Sequence, residues 1–172
     1  GAAINLTTKY TNNVYTHLIT EEYTVPNNAT ARLSFRSWVC TEHNWDGGGV
    51  SISNDGGQSW WWLPPQLNGF HDQISTVNTN SPFFGQGIID GSSVPNGCGA
   101  SNLRDFELKT YDLSNLSGQS IKARFSFFSD TYVEADGWYI DDAGIEIDVF
   151  EPSGTWTSRS ISPDPLFGYG WL

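Results

Sequence analysis

The segment Ala31 to Val39 alternates in polarity. Leu33, Phe35 and Val39 fall on one side and Arg32, Arg36 and Trp38 on the other, the period-2 pattern of a half-buried strand. Ile121 to Phe128 repeats it, with Ile121, Ala123, Phe125 and Phe127 opposed by Lys122, Arg124 and Ser126. Gly144 to Phe150 does so again, with Ile145, Ile147 and Val149 against Glu146 and Asp148. Shorter runs at Gly49–Ser53, Ser59–Leu63, Phe106–Tyr111 and Trp138–Ile140 read as strands. Asn54-Asp55-Gly56-Gly57 is a hairpin signal between the first two of these, and Pro64-Pro65 stops the return strand. No stretch of useful length carries the helical period. Short strands separated by turn chemistry predict an all-β fold, an antiparallel two-sheet β-sandwich. Its long crossovers favour jelly-roll topology over an up-and-down barrel.

Two regions depart from this rhythm. Asn68 to Ser101 is rich in Gly, Asn, Ser and Pro, with Phe83-Phe84 and Ile88-Ile89 as apolar anchors. Connections of that length are elaborated functional loops or crossovers between sheets. Glu151-Pro152-Ser153-Gly154 marks a boundary. We therefore expect a sandwich domain over residues 1–150 and a C-terminal tail over 151–172. The tail either packs on the sandwich or begins a further β module, because Trp156, Phe167, Tyr169 and Trp171 are costly to leave in water.

With 172 residues, 15% of them aromatic, the chain can fill one sizeable core. The net charge of −11, with only eight Lys and Arg, argues against nucleic acid as a partner. No apolar run is long enough to cross a membrane as a helix. The chain has no Met, which suggests a processed product or a piece of something longer. Of its two cysteines, Cys40 ends a strand-like run and Cys98 lies in a glycine-rich loop; a disulfide between them is preferred over two free thiols.

Chemistry concentrates after Phe128. Asp130, Glu134, Asp136, Asp141 and Asp142 crowd into thirteen residues, and Glu42 with Asp46 forms a second acidic loop. Carboxylates so dense repel one another unless a cation sits among them. Ca2+ takes six to eight oxygens from flexible loops. The EF-hand pattern does not fit, since Tyr132 stands where its first Asp belongs. The expectation is an irregular Ca2+ site joining two loops, with Glu42, Asp46, Asp130, Asp136, Asp141 and Asp142 as ligands. The blander reading leaves Asp141 and Asp142 capping a turn and the rest facing solvent.

Trp60-Trp61-Trp62 offers a second site, because strand alternation must send at least one ring away from the core. An outward Trp is a sugar-stacking platform, or it is covered by the 68–101 region. Glu42-His43 and His71-Asp72 supply hydrolase-like residue types. Nothing matches a zinc-protease, serine-hydrolase or zinc-binding spacing, so no enzymatic activity is expected.

Several motifs occur together in one order. They are Leu33-Ser34-Phe35 with Trp38; Glu42 followed by Trp45-Asp46-Gly47-Gly48; Val50-Ser51-Ile52-Ser53; Asp55-Gly56-Gly57 with Ser59-Trp60; Asp112-Leu113-Ser114 with Gly118; and Arg124-Phe125 through Ser129-Asp130 to Gly137-Trp138-Tyr139-Ile140-Asp141-Asp142. This series resembles the MAM-like jelly-roll domains of secreted and surface proteins, including accessory domains of immune inhibitor A type metalloproteases. The resemblance implies a two-sheet sandwich, a secreted or cell-surface location, a non-catalytic role and a structural cation held by loop carboxylates. The expected function is a binding or adhesion module within a larger multidomain chain, its partner an extracellular protein or glycan. A carbohydrate-binding module using the tryptophans, and a structural subunit of an extracellular assembly, are the alternatives.

Overall fold

The computed structural model describes residues 2–3, 9–27, 29–64, 72–74, 78–91 and 106–149. Its elements are β1 (Ala2–Ala3), β2 (Tyr15–Ile19), β3 (Tyr23–Thr24), β4 (Ala29–Cys40), β5 (Gly47–Ser53), β6 (Trp61–Leu63), β7 (Asp72–Ile74), β8 (Gly87–Ile89), β9 (Glu107–Asp112), β10 (Ser120–Phe128) and β11 (Gly137–Val149), with one 3₁₀ turn at Ser114–Leu116. They form an antiparallel two-sheet sandwich. One sheet has the order β1-β11-β4-β9; the other runs β2-β10-β5-β8-β7, with β3 added to β10 and β6 to β5. The chain changes sheets at β1–β2, β3–β4, β4–β5, β8–β9, β9–β10 and β10–β11, so each sheet is built from distant segments.

The alternation read from sequence determines which residues meet between the sheets. Leu33 and Phe35 from β4 face Phe125 and Phe127 from β10 and Val50 and Ile52 from β5, all buried in one cluster. Phe35 meets Phe125 edge-on at 5.0 Å, and Trp138 packs against both. Each buried aromatic of this kind contributes roughly 2–3 kcal/mol. Trp138 reaches this position because Gly48 lies beneath it; a Cβ there would sit 2.3 Å from its ring. The Trp138 indole N–H donates to Ser37 Oγ at 2.9 Å.

One expectation changes here. Trp138–Ile140 and the run that begins at Gly144 are, as far as Val149, a single strand, β11, paired with β4 along its length. Asp141 sits opposite Arg36 and Gly144 opposite Ser34, so β11 carries one extra residue in a bulge. Asp142 occupies it at φ +50°. The bulge flips the phase: Trp138 opposes Val39, whereas Ile145 and Ile147 oppose Leu33 and Ala31. Even-numbered and odd-numbered apolar residues thus reach one face, which is why the two halves look like separate strands in sequence.

β2 and β3 carried no strand signal. All five β2 residues are exposed, so no burial pattern constrains them. The 68–101 region is described in part: β7, β8 and the turn at residues 78–86 between them, which seats Phe83 in the fold at 2% exposure. The 151–172 tail, and hence the division at residue 150, lies outside the described residues, as does Cys98. Cys40 is fully buried at the end of β4. No helix among the described residues is long and apolar enough to cross a membrane.

Candidate functional site

Two connections meet at one end of the sandwich. The first joins β4 to β5. Its Glu42 carbonyl accepts the amides of Trp45 and Asp46 at 3.2 and 3.0 Å, closing one turn with Asn44 at φ +68°. That turn brings Glu42 and Asp46, four residues apart, to the same side. Thr41 secures its base: its hydroxyl donates to the Asp46 carbonyl at 3.1 Å and accepts the Gly91 amide at 2.9 Å. The second connection follows β10. Ser129 and Asp130 are tied to the segment before β2, with the Asn13 amide on the Asp130 carbonyl at 2.6 Å and the Ser129 hydroxyl on the Thr11 carbonyl at 2.8 Å.

Asp46 couples the two. It is fully buried, and its carboxylate accepts the Asp130 amide at 2.7 Å and the Tyr10 hydroxyl at 2.6 Å. Tyr10 in turn accepts the Glu42 amide at 3.3 Å. Carboxylate oxygens of Glu42, Asp46 and Asp130 all lie within 4.8 Å of one another. Burial raises the Asp46 pKa above 3.8, against the bonds from Tyr10 and Asp130 that hold it down. Burial also raises Glu42, with the charges of Asp130 and Asp46 adding to it. Burial pushes the Tyr10 hydroxyl well above 10.0, assisted by its bond to Asp46, so it remains a donor.

Donors are distributed unevenly. Asp46 has one for each oxygen, and the Tyr132 amide donates to Asp130 at 3.0 Å. Glu42 Oε2 is buried with no hydrogen-bond partner, and so is Asn12 Oδ1, in the turn next to Asn13. An acceptor-only oxygen left without a donor beside two further carboxylates is costly unless a cation meets it.

The six predicted metal ligands therefore divide. Glu42, Asp46 and Asp130 come together. Asp136 is half-buried just before β11, near Tyr139, whose hydroxyl pKa is raised by burial and by that charge. Asp141 and Asp142 are exposed within β11 at its bulge rather than in a loop, and the Asp142 amide donates to Asp141.

The three tryptophans alternate as the strand requires. Trp61 opposes the buried Ile52 and packs on the core. Trp62 opposes Ser51 on the outer face, where Phe83 lies over it at 4.9 Å and its indole N–H donates to the Gly87 carbonyl. Trp60 is covered on one side by the Arg124 guanidinium, 4.5 Å from its ring. All three are half-buried.

No family model matches the chain. It is similar to bacillopeptidase F of Bacillus subtilis (strain 168), at 25% identity over 171 residues. The match covers 92% of this chain but only 10% of that protein. The chain thus spans about a tenth of the length of the relative it matches.

Sequence reasoning missed Tyr10 and Asp90. Tyr10 is remote in sequence from both acidic loops, and the pairing of β2 with β10 together with the bond of its amide to the Ala135 carbonyl brings its segment to them. Asp90 is fully buried after β8; its carboxylate accepts the Asn44 amide at 2.7 Å and lies 3.4 Å from His43 Nδ1. His43 is thereby drawn to a residue that braces the loop. His71, the other histidine of the hydrolase reading, lies outside the described residues.

Proposed function

We propose that the chain is a non-catalytic, extracellular binding module of a larger protein, and that a Ca2+ ion held by Glu42, Asp46 and Asp130 fixes the shape of its binding rim. The observation that carries the cation is the Glu42 carboxylate, with one oxygen sealed from water and given no donor while two other carboxylates face it. Hard oxygen ligands of this number, with carbonyls and water completing the shell, suit Ca2+. The ion would join the β4–β5 connection to the segment after β10 and present the adjoining surface rigidly. The accessory role is supported by the short span of the match to a peptidase and by the all-β two-sheet architecture. A Cys40–Cys98 disulfide would fasten the far end of the 68–101 region to β4 in an oxidising environment, stabilising by about 2–4 kcal/mol.

The test is calorimetric titration of chelator-treated protein with CaCl2, alongside elemental analysis of the purified chain. One Ca2+ per chain, lost in Glu42→Gln, is expected. Absence of both heat and bound calcium would remove the cation from the account.

A further inference from the structure

We infer that the outer face of the β2-β10-β5 sheet holds a second binding site, in which Arg124 receives the carboxylate of a single acidic sugar on an otherwise neutral glycan. This deepens the binding-module reading and rests on it, but it uses none of the cation-site residues.

The face is built in register. Ile19 from β2, Arg124 from β10, Ser51 from β5 and Trp62 from β6 form one row, and His17, Ser126 and Gly49 form the next. Arg124 is at the centre. It is held by its stack on Trp60, and its Nε is buried without a hydrogen-bond partner. Among the described residues its guanidinium forms no ion pair, whereas Arg32 pairs with Glu146 and Asp148 and Lys109 with Glu107. A guanidinium unpaired among the described residues is conspicuous in a chain of net charge −11. With Nε sealed, the two terminal nitrogens are the donors left, and they match the two oxygens of a carboxylate.

The neighbours suit a sugar ring. Tyr15 and Ile19 are 51% and 50% exposed, and Tyr15 meets His17 edge-on at 4.6 Å. His17 bonds Ser126 Oγ at 2.9 Å, and its partial burial and the Arg124 charge lower its pKa, so at neutral pH it offers hydroxyl-reading nitrogen rather than a second cation. The overall negative charge would repel a polyanion, which restricts the ligand to one acidic group.

The probes are methyl β-glucuronoside and methyl β-glucoside, which differ at one carboxylate, titrated into the calcium-loaded chain and followed by NMR at the Trp60 indole N–H and Arg124 Nε–H. The glucuronoside should bind at least about tenfold more tightly than the glucoside. Arg124→Gln should erase that preference, and Arg124→Lys should keep part of it. A methyl sialoside arm identifies the acid: Arg124-dependent binding of either acidic sugar supports the site. Equal affinity for the acidic and neutral glycosides, or no shift at either proton with any probe, would overturn it, as would a preference that survives in Arg124→Gln. Glu42→Gln should lose calcium and keep the preference, and Arg124→Gln the reverse, so the two readings fail separately.

Discussion

Replacing Glu42 by Gln should change stability in opposite directions with and without calcium. In chelator, Glu42, Asp46 and Asp130 present three negative charges whose oxygens lie within 4.8 Å of one another. At that separation one pair repels by roughly 1 kcal/mol in water and roughly 3.5 kcal/mol at an effective dielectric constant near 20. Glu42 and Asp130 are only half-buried, so solvent screening favours the lower part of that range. Gln removes the two repulsions that involve residue 42. It also sacrifices no bond at Oε2, which has none. The calcium-free variant should therefore be more stable than the parent, by about 1–2 kcal/mol. Calcium at a hundredfold excess over its Kd should stabilise the parent by about 2.7 kcal/mol, and the variant hardly at all. Each kcal/mol shifts Tm by roughly 2–4 °C at this chain length. Circular dichroism melts of both proteins in EDTA and in CaCl2 give the four numbers required. The reasoning fails if Gln lowers Tm in EDTA, or if both proteins gain equally from calcium.

Gly48→Ala places a Cβ 2.3 Å from the Trp138 ring and should cost about 1–3 kcal/mol by denaturant unfolding, whereas Gly144→Ala, with nothing within 4 Å, should cost far less. Asp142 sits at φ +50°, so Asp142→Val should destabilise by about 1–2 kcal/mol while Asp142→Gly should not; calcium stoichiometry should be unchanged in both, and its loss in Asp142→Gly would make Asp142 a ligand. Asp55 accepts the Ser59 hydroxyl and amide, the Ser53 hydroxyl and the Gln58 amide, which together hold its pKa below 3.8. A depressed carboxyl pKa stabilises the folded state above the unfolded value, and that stability is lost as pH falls below it. Urea midpoints between pH 5 and pH 2 should therefore fall less steeply in Asp55→Asn than in the parent; parallel slopes would show that Asp55 contributes no linkage.

How far the sequence could be read depended on whether burial left a periodic mark. β10 and β4 were legible because each presents alternate residues to one core, as with Phe125 and Phe127 opposite Val50 and Gly48. β2 was not, because an exposed edge strand has no face that must be apolar. β11 was legible in halves only: its bulge inverts the phase at Asp141–Asp142, and the negative residues there looked like the end of a strand. The same limit applies to the acidic rim. Glu42 and Asp46 share one turn and could be paired on paper, but their approach to Asp130 depends on β5 and β10 being hydrogen-bonded neighbours in register, with Gly47 opposite Phe128. Tyr10 carries no local signal for contact with Asp46, 36 positions away.

That register also explains why Arg124 and the acidic rim do not neutralise each other. Asp46 precedes the end of β5 that pairs with Phe128, and Asp130 follows the same end of β10. Arg124 lies in the middle of β10, paired with Ser51. At about 3.4 Å per residue, the six positions from Arg124 to Asp130 amount to roughly 20 Å of extended strand, beyond a Debye length of about 8 Å in physiological salt. Arg124 is further separated by face, since it points outward while Phe125 and Phe127 beside it point into the core. The negative rim and the positive face are held apart along the β10–β5 pair, and no side-chain rotation brings them together. On the readings proposed above, each finds its counter-charge outside this sheet: a cation for the three carboxylates at its end, and an anion for the guanidinium on its face.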